Sequence, residues 1–408
     1  MNILQVSAYD QAGQSFNGYL LSKALQALGH ESHMVVHRRS CDEPSVHKLG
    51  RGWLGYVNRA MTLAERALSL HSVLVASAVQ LYAAPYYRNA DIVHLQLIHA
   101  EPFFSLLNLP IMSRQHRLVW TLHDPWLTSG HCVHSLDCNK WLIGCKKCDQ
   151  KDLWFPIKRN TTAFSWRLKH AVMHASKIDL VVASRWMLER VKRSPIVSHL
   201  PCHLIPFGVS GSFRPQDKAS CRAQIGIPVD ATVLGFRARP VEDYHKGLVH
   251  VEKALAALRF KKPIYLITFE QTGWNRFPID RYNLIELGWV DDQDLISVAL
   301  NAMDVFLMPS TAEAFGMMAV ESMACGTPVI CFEGTSLPQV IHAPQGGIAV
   351  PYKNDTALAE AIQTLLDNDS LRESLSANGL KIVGEEYRED LYVKRHLELY
   401  ESLLAQGT

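Results

Sequence analysis

With 408 residues, 48% of them apolar and 20% charged, and a formal net charge of +2, the chain exceeds the roughly 250–300 residues at which a single core stops growing, so about two domains are expected. The near balance of charge excludes the bulk basicity that coats nucleic acid, and no apolar run approaches the roughly 20 residues needed to span a bilayer. The opening MNILQVSAYD reads as a strand rather than a basic n-region and an apolar h-region, which makes the cytoplasm the expected location.

Residues 3–6 predict a short strand, followed by a polar loop containing Gly13, a helix over 16–28 ended by Gly29, and a second strand at 32–37. This βα unit feeding another strand opens a doubly wound parallel sheet. Further strands are expected at 91–96, 117–123 and 179–184, with 204–209 closing the first half. A second series begins after Arg214-Pro215: the strand TVLGFRA, a helix over 248–258, the strands PIYLITF and LIELGWV, a helix over 292–302, and the strands DVFLMP and PVICF around TAEAFGMMAVESMACGT. The expected class is therefore α/β, with two Rossmann-like domains at 1–209 and 215–386, a linker near 209–218 and a last helix within 387–408. Ligands of such sheets bind at the carboxyl ends of the strands, so the chemistry-bearing loops are expected to face a cleft between the two domains.

In STAEAFGMMAVESMA a loop leads from a strand into a helix whose first free N–H groups lie near Phe315, Gly316, Met317 and Met318. Those donors and the helix dipole make an anion site, and a residue without Cβ at Gly316 lets a phosphate approach the backbone. Glu313 lies outside that pocket, where a sugar hydroxyl could be held, and Glu321 lies between one and two turns down the helix, within reach of a ribose edge. The rival reading makes both carboxylates solvated helix-end charges. Asp292-Gln293-Asp294 matches a D-x-D metal motif, but these acids open a predicted helix, where they favour the dipole, so no catalytic metal is expected.

Four of the nine cysteines cluster as Cys132, Cys138, Cys145 and Cys148 in HCVHSLDCNKWLIGCKKC. Four thiolates with one C-x2-C pair fit a closed structural zinc site, which His131 or His134 could complete in place of one thiol. Reduced or redox-active thiols and disulfides are the alternatives, the last disfavoured by a reducing compartment. Two stretches, RGWLGYVNRAMTLAERAL and KDLWFPIKRNTTAFSWRLKHAV, interleave aromatic and basic residues. Such a pattern suits a membrane surface, or equally a helix packed on a core.

STAEAFGMMAVESMACGTPVI resembles the E-x7-E signature of family-4 retaining glycosyltransferases of the GT-B fold. GFRARPVEDYHKGLVHVEKAL is similar to that family's phosphate-binding segment, LGWVDDQDL, with Val290, to its nucleotide-side loop, LIPFGVSGSFRP to its interdomain turn, and YVKRHLELYESLL to a C-terminal helix that crosses back onto the first domain. WTLHDPWLTSGHC resembles a subgroup acting in bacterial surface polysaccharide and lipopolysaccharide assembly. The resemblance implies a sugar transfer with retention of configuration, from a nucleotide-sugar donor of UDP or GDP type to a glycan or lipid-linked oligosaccharide. It implies no catalytic cofactor, no nucleic-acid partner, and a position in the cytoplasm or on the inner face of its membrane.

Carried over by position, Glu313 would bind donor-sugar hydroxyls, Glu321 the ribose, and the amides of Phe315 to Met318 the diphosphate. Lys246 with Arg237 or Arg239 would neutralise the leaving diphosphate, and His123 would sit near the sugar and acceptor. The glycine pair of relatives is reduced here to Gly13, the turn Asn-Gly-Ile-Asp to Phe207-Gly208-Val209-Ser210, and a late Glu to Gln339. Two other functions fit the same fold: a nucleotide-sugar or glycan-binding protein without efficient turnover, and a phosphorylase-like enzyme with a pyridoxal cofactor.

Overall fold

The computed structural model describes residues 1–50, 52–151, 153, 155–237, 245–260, 264–269 and 281–406. The chain forms two compact units, one of Met1–Phe207 with Tyr392–Thr408 and the other of Gly208–Leu391. Arg239 lies outside the described residues.

The first unit is built on seven strands: β1 (Asn2–Tyr9), β2 (Glu31–Arg38), β3 (Val46–Lys48), β4 (Ile92–Leu95), β5 (Arg117–Leu122), β6 (Ile178–Val182) and β7 (Cys202–Leu204), in spatial order β3-β2-β1-β4-β5-β6-β7. Every pairing is parallel, with Ile3 opposite both Ser32 and Ile92. Leu4, Val6, Val93, Trp120 and Leu180 are almost wholly buried. A parallel sheet covered on both faces needs such continuous apolar strands, where a half-solvated sheet would alternate. The predicted first helix is shorter than its pattern: it runs Tyr19–Ala27, because residues 10–18 are drawn into a turn. Asn17 holds that turn, its Nδ2 donating to the carbonyls of Asp10 at 2.6 Å and Ala12 at 2.8 Å. The strand expected at 204–209 stops at Leu204.

The second unit carries β8 (Thr232–Phe236), β9 (Ile264–Thr268), β10 (Tyr282–Glu286), β11 (Val305–Met308), β12 (Val329–Phe332) and β13 (Gly347–Val350), all parallel in the order β10-β9-β8-β11-β12-β13. Both units thus place their first strand centrally and reverse direction beside it, the doubly wound arrangement whose crevice lies at the strand carboxyl ends. Asp292 caps the Gln293–Ala302 helix, its Oδ1 accepting from the N–H of Asp294 at 2.9 Å and Leu295 at 3.4 Å. The first acid of the D-x-D pattern is thus a helix cap.

The last helix, Glu389–Ala405, buries Tyr392, Val393, His396 and Tyr400. Its anchor in the first unit is polar: the Tyr400 hydroxyl meets His94 Nδ1 at 2.6 Å, and His94 Nε2 meets Thr121 Oγ1 at 2.7 Å, all three groups being buried. Burial drives the His94 pKa well below its ordinary value, so the ring is neutral and needs both partners. Tyr400→Phe leaves one ring nitrogen buried without a partner and should cost about 1–3 kcal/mol, read as a lower denaturant midpoint at constant slope.

Candidate functional site

In the second unit the loop before the Leu248–Ala257 helix is clamped to the loop after β11. Thr311 N donates to His245 O at 2.8 Å. Gly247 has φ +81°, and a Cβ there would collide with the Pro309 carbonyl. This close approach brings Lys246 to Glu313, with Nζ 3.0 Å from Oε2. Both side chains are largely shielded, so the pair is stronger than a surface ion pair.

The Met317–Ala324 helix starts at Gly316, which has φ +101° and no side-chain cap, leaving the first helical N–H groups open. Phe315 is buried and meets Tyr387 edge-on, with ring centroids 5.8 Å apart. Ser336 fixes the turn, its Oγ donating to the carbonyls of Glu313 and Phe315, each at 3.1 Å. The E-x7-E pattern does not single out Ser336, and no periodicity marks it.

Burial raises the Glu321 carboxyl to about 7, with nearby Arg237 opposing the rise. Arg237 also lies 4.0 Å from Met318 Sδ and over the Trp289 ring, with 5.6 Å to its centroid. Val290 follows Trp289 in the turn after β10. The structure therefore gathers Lys246 with Glu313, and Arg237 with Met318, Glu321 and the Trp289-Val290 turn.

In the first unit Gly13 (φ +72°) packs against Phe16, where a Cβ would come within 2.7 Å of the ring. Phe16 in turn lies 5.6 Å from the His123 ring, and Phe207 stacks on His123 at 5.4 Å. Gly13 and His123 are thus joined through Phe16. Phe207, in the Phe207-Gly208-Val209-Ser210 turn, is the aromatic partner of His123, a contact the turn's own sequence does not signal. His123 Nε2 lies 2.9 Å from Gln96 Oε1 and must donate to it, which leaves Nδ1 as the acceptor; it has no partner among the described residues. Burial lowers the His123 pKa to about 3, so the ring is neutral at physiological pH. Burial alone would raise the Asp124 carboxyl, but the His99 imidazole at 2.9 Å and the N–H of Trp126 outweigh it and hold the pKa near 2.

The tetrathiolate zinc site expected from Cys132, Cys138, Cys145 and Cys148 is not assembled: among the described residues no group of three or more His, Cys, Asp or Glu side chains is arranged to hold a metal ion. All four are free thiols, Cys132 and Cys145 buried, the other two partly exposed. The loop has a packing centre of its own in Trp141, which is buried and lies under the Arg190 guanidinium at 4.1 Å. Arg190 also donates to Thr128 Oγ1 and Ser135 Oγ, both at 2.9 Å, and Thr162 Oγ1 donates to the Cys145 carbonyl at 2.6 Å.

Each unit has counterparts of known structure. Sucrose-phosphate synthase from Thermosynechococcus elongatus superposes with a TM-score of 0.70 at 20% identity, covering 99% of each chain. HepE of Anabaena, solved with UDP and glucose, gives 0.69 at 16% identity over 98% of this chain and 100% of that one. The fold is GT-B. Residues 279–382, in the second half of the chain, match the family model of glycosyl transferases group 1. Curated relatives include D-inositol 3-phosphate glycosyltransferase of Saccharomonospora viridis, 33% identical over 40% of this chain and 41% of the relative. Another is O-antigen chain mannosyltransferase B of Escherichia coli, 40% identical over 26% of this chain and 25% of the relative. The chain thus spans less than half the length of these curated relatives.

Glu321 supplies a pH signature. A carboxyl whose pKa rises from 4.5 to about 7 on folding binds its proton more tightly in the folded chain. Its contribution to stability is full below about 4.5 and is lost as pH rises through about 7. Thermal unfolding of Glu321→Gln should therefore gain on the native chain across that window, and a pH-independent difference would contradict the burial effect.

Proposed function

We propose that the chain is a retaining glycosyltransferase that moves a sugar from a nucleoside-diphosphate donor to a glycan or lipid-linked oligosaccharide during surface polysaccharide or lipopolysaccharide assembly. The observation that carries this reading is the Lys246–Glu313 pair, 3.0 Å apart, held beside the open helix start at Gly316. Nucleotide and sugar need opposite things, a cation with N–H donors for the diphosphate and a carboxylate for hydroxyls, and this corner offers both. The O-antigen mannosyltransferase among the relatives supports the polysaccharide setting.

In this reading the amides from Phe315 to Met318 cradle the diphosphate, Glu313 takes the donor-sugar hydroxyls, and Glu321 takes the ribose. The departing diphosphate gains negative charge, so Lys246, with Arg237 or Arg239, holds it more tightly in the transition state than in the ground state. Fixed cations supply that stabilisation without a catalytic metal. His123, neutral and backed by Phe207, orients the sugar and acceptor, and Gly13 lets Phe16 pack beside its ring.

Isothermal titration with UDP and GDP tests the assignment and identifies the base. Glu321→Ala should weaken binding of the preferred nucleotide by about 1.5–3 kcal/mol, while Glu313→Ala leaves it nearly unchanged and lowers turnover. Lys246→Ala should lower turnover about a hundredfold. If all three variants bind and turn over as the native chain does, the site lies elsewhere.

The lipid-linked acceptor calls for a membrane surface, and the Trp53–Leu68 helix is suited to one. Trp53 and Tyr56 are 71% and 74% exposed, Leu63 is exposed too, and Arg59 and Arg66 share the helix. An apolar rim with basic residues binds the interface of an anionic bilayer. No helix among the described residues is long and apolar enough to cross a membrane. Co-sedimentation should be stronger with phosphatidylglycerol vesicles than with phosphatidylcholine, and Trp53→Ser with Tyr56→Ser should remove most of it. Equal binding to both vesicles, or none, would rule the surface out.

A further inference from the structure

A cavity of about 650 Å³ lies wholly in the first unit, bordered by the Trp53–Leu68 helix, the segment after β4, the loop after β5 and the Thr162–His174 helix. Neither His123 nor Gly13 lines it. Two buried side chains reach it with unspent bonding capacity.

Lys169 is 3% exposed, and its ammonium donates to the carbonyls of Trp126 at 2.7 Å and Ser129 at 3.0 Å while sitting 3.5 Å from the Trp126 ring centroid. Among the described residues no carboxylate stands within ion-pair distance of it. The Lys169 hydrogen bonds all go to neutral carbonyls; burial lowers its pKa to about 7, opposed by the Cys132 and Cys145 thiols and by Asp124, whose carboxylate is bonded to His99, so a further anion in the cavity would favour the charged form. His131 is 7% exposed; its ring bonds the backbone of Leu153, and its Nε2 has no partner among the described residues. With the other nitrogen donating to that backbone, Nε2 is an acceptor that fits a hydroxyl.

The acids on the wall are already engaged. Glu65 accepts from the N–H groups of Val73 and Leu74 at 2.6 and 2.7 Å, and Glu101 pairs with Arg38 at 2.7 Å. Arg66 and Lys158 stand exposed at the rim and add positive potential.

We propose that this cavity binds an anionic, hydroxyl-bearing part of the acceptor: a saccharide unit carrying a phosphate or a carboxylate. Lys169 receives the anion as a directly paired counter-charge, and His131 Nε2 accepts from a hydroxyl of the same unit. The inference rests on the transferase reading only in calling that saccharide the acceptor; binding itself needs no transfer.

Calorimetry on the full chain, with glucose 6-phosphate, glucuronate, methyl glucoside and inorganic phosphate as separate probes, tests it. At least one acidic sugar should bind about tenfold or more tighter than methyl glucoside, and Lys169→Met should erase that preference. Which acid wins distinguishes phosphate from carboxylate. If Lys169→Met does not fold, His131→Phe, which removes the hydroxyl acceptor, should weaken the winning sugar acid while leaving inorganic phosphate unaffected, and exchanging Arg66 and Lys158 for Ala should weaken both. Methyl glucoside binding as well as the acids, inorganic phosphate binding as tightly as glucose 6-phosphate, no binding by any probe, or a folded Lys169→Met that keeps the preference would each overturn the proposal. UDP and GDP titrated into the same samples keep the two readings apart: lost nucleotide binding with the acid preference intact sinks the donor assignment and not this one.

Discussion

The close approach of Gly247 to the Pro309 carbonyl is the constraint on which the candidate donor site depends. Only a residue without Cβ, in a left-handed conformation, lets the loop before the Leu248–Ala257 helix lie against the loop after β11. The His245–Thr311 hydrogen bond then locks the two loops, and Lys246 has no choice but to face Glu313. Ser336 works from the opposite side, tying the carbonyls of the 313–315 turn so that the helix start at Gly316 stays open. Two loops and one turn, far apart in sequence, thus produce one cation, one carboxylate and a helix start without a side-chain cap.

The first unit solves a different problem, that of keeping polar groups inside a sheet core. His94, Thr121 and Tyr400 satisfy one another, while Gln96 bonds both Gln5 and His123. Each of these groups would be expensive if left alone, and their mutual satisfaction binds the last helix to the sheet through directional contacts as well as apolar ones. The neutral His123 at the end of this network is therefore a fixed, oriented ring rather than a titrating one, which fits positioning better than proton transfer.

The cysteine loop shows how a motif can mislead when tertiary partners are invisible. Four thiols at this spacing fit a structural zinc site, which would order the segment. Trp141 beneath Arg190, with hydrogen bonds from Thr162 and Trp166 to the loop backbone, provides that order instead. Arg190 and Thr162 lie outside the loop, so its own sequence could not reveal them.

The alternation of apolar strands with helical periodicity, read along one chain, was enough to determine two parallel α/β sheets, because local burial patterns follow directly from residue order. The helix start at Gly316 was legible for the same reason: glycine ahead of an apolar helix is a local signal. What only the tertiary structure decided is which distant groups meet. Lys246 finds Glu313 through a glycine contact, Phe207 covers His123, Ser336 pins a turn 23 residues away, and Lys169 is buried on two backbone carbonyls and a tryptophan ring. Burial and hydrogen-bond pairing are properties of three-dimensional neighbours, and it is those neighbours, not residue type, that set the charge and orientation of a side chain.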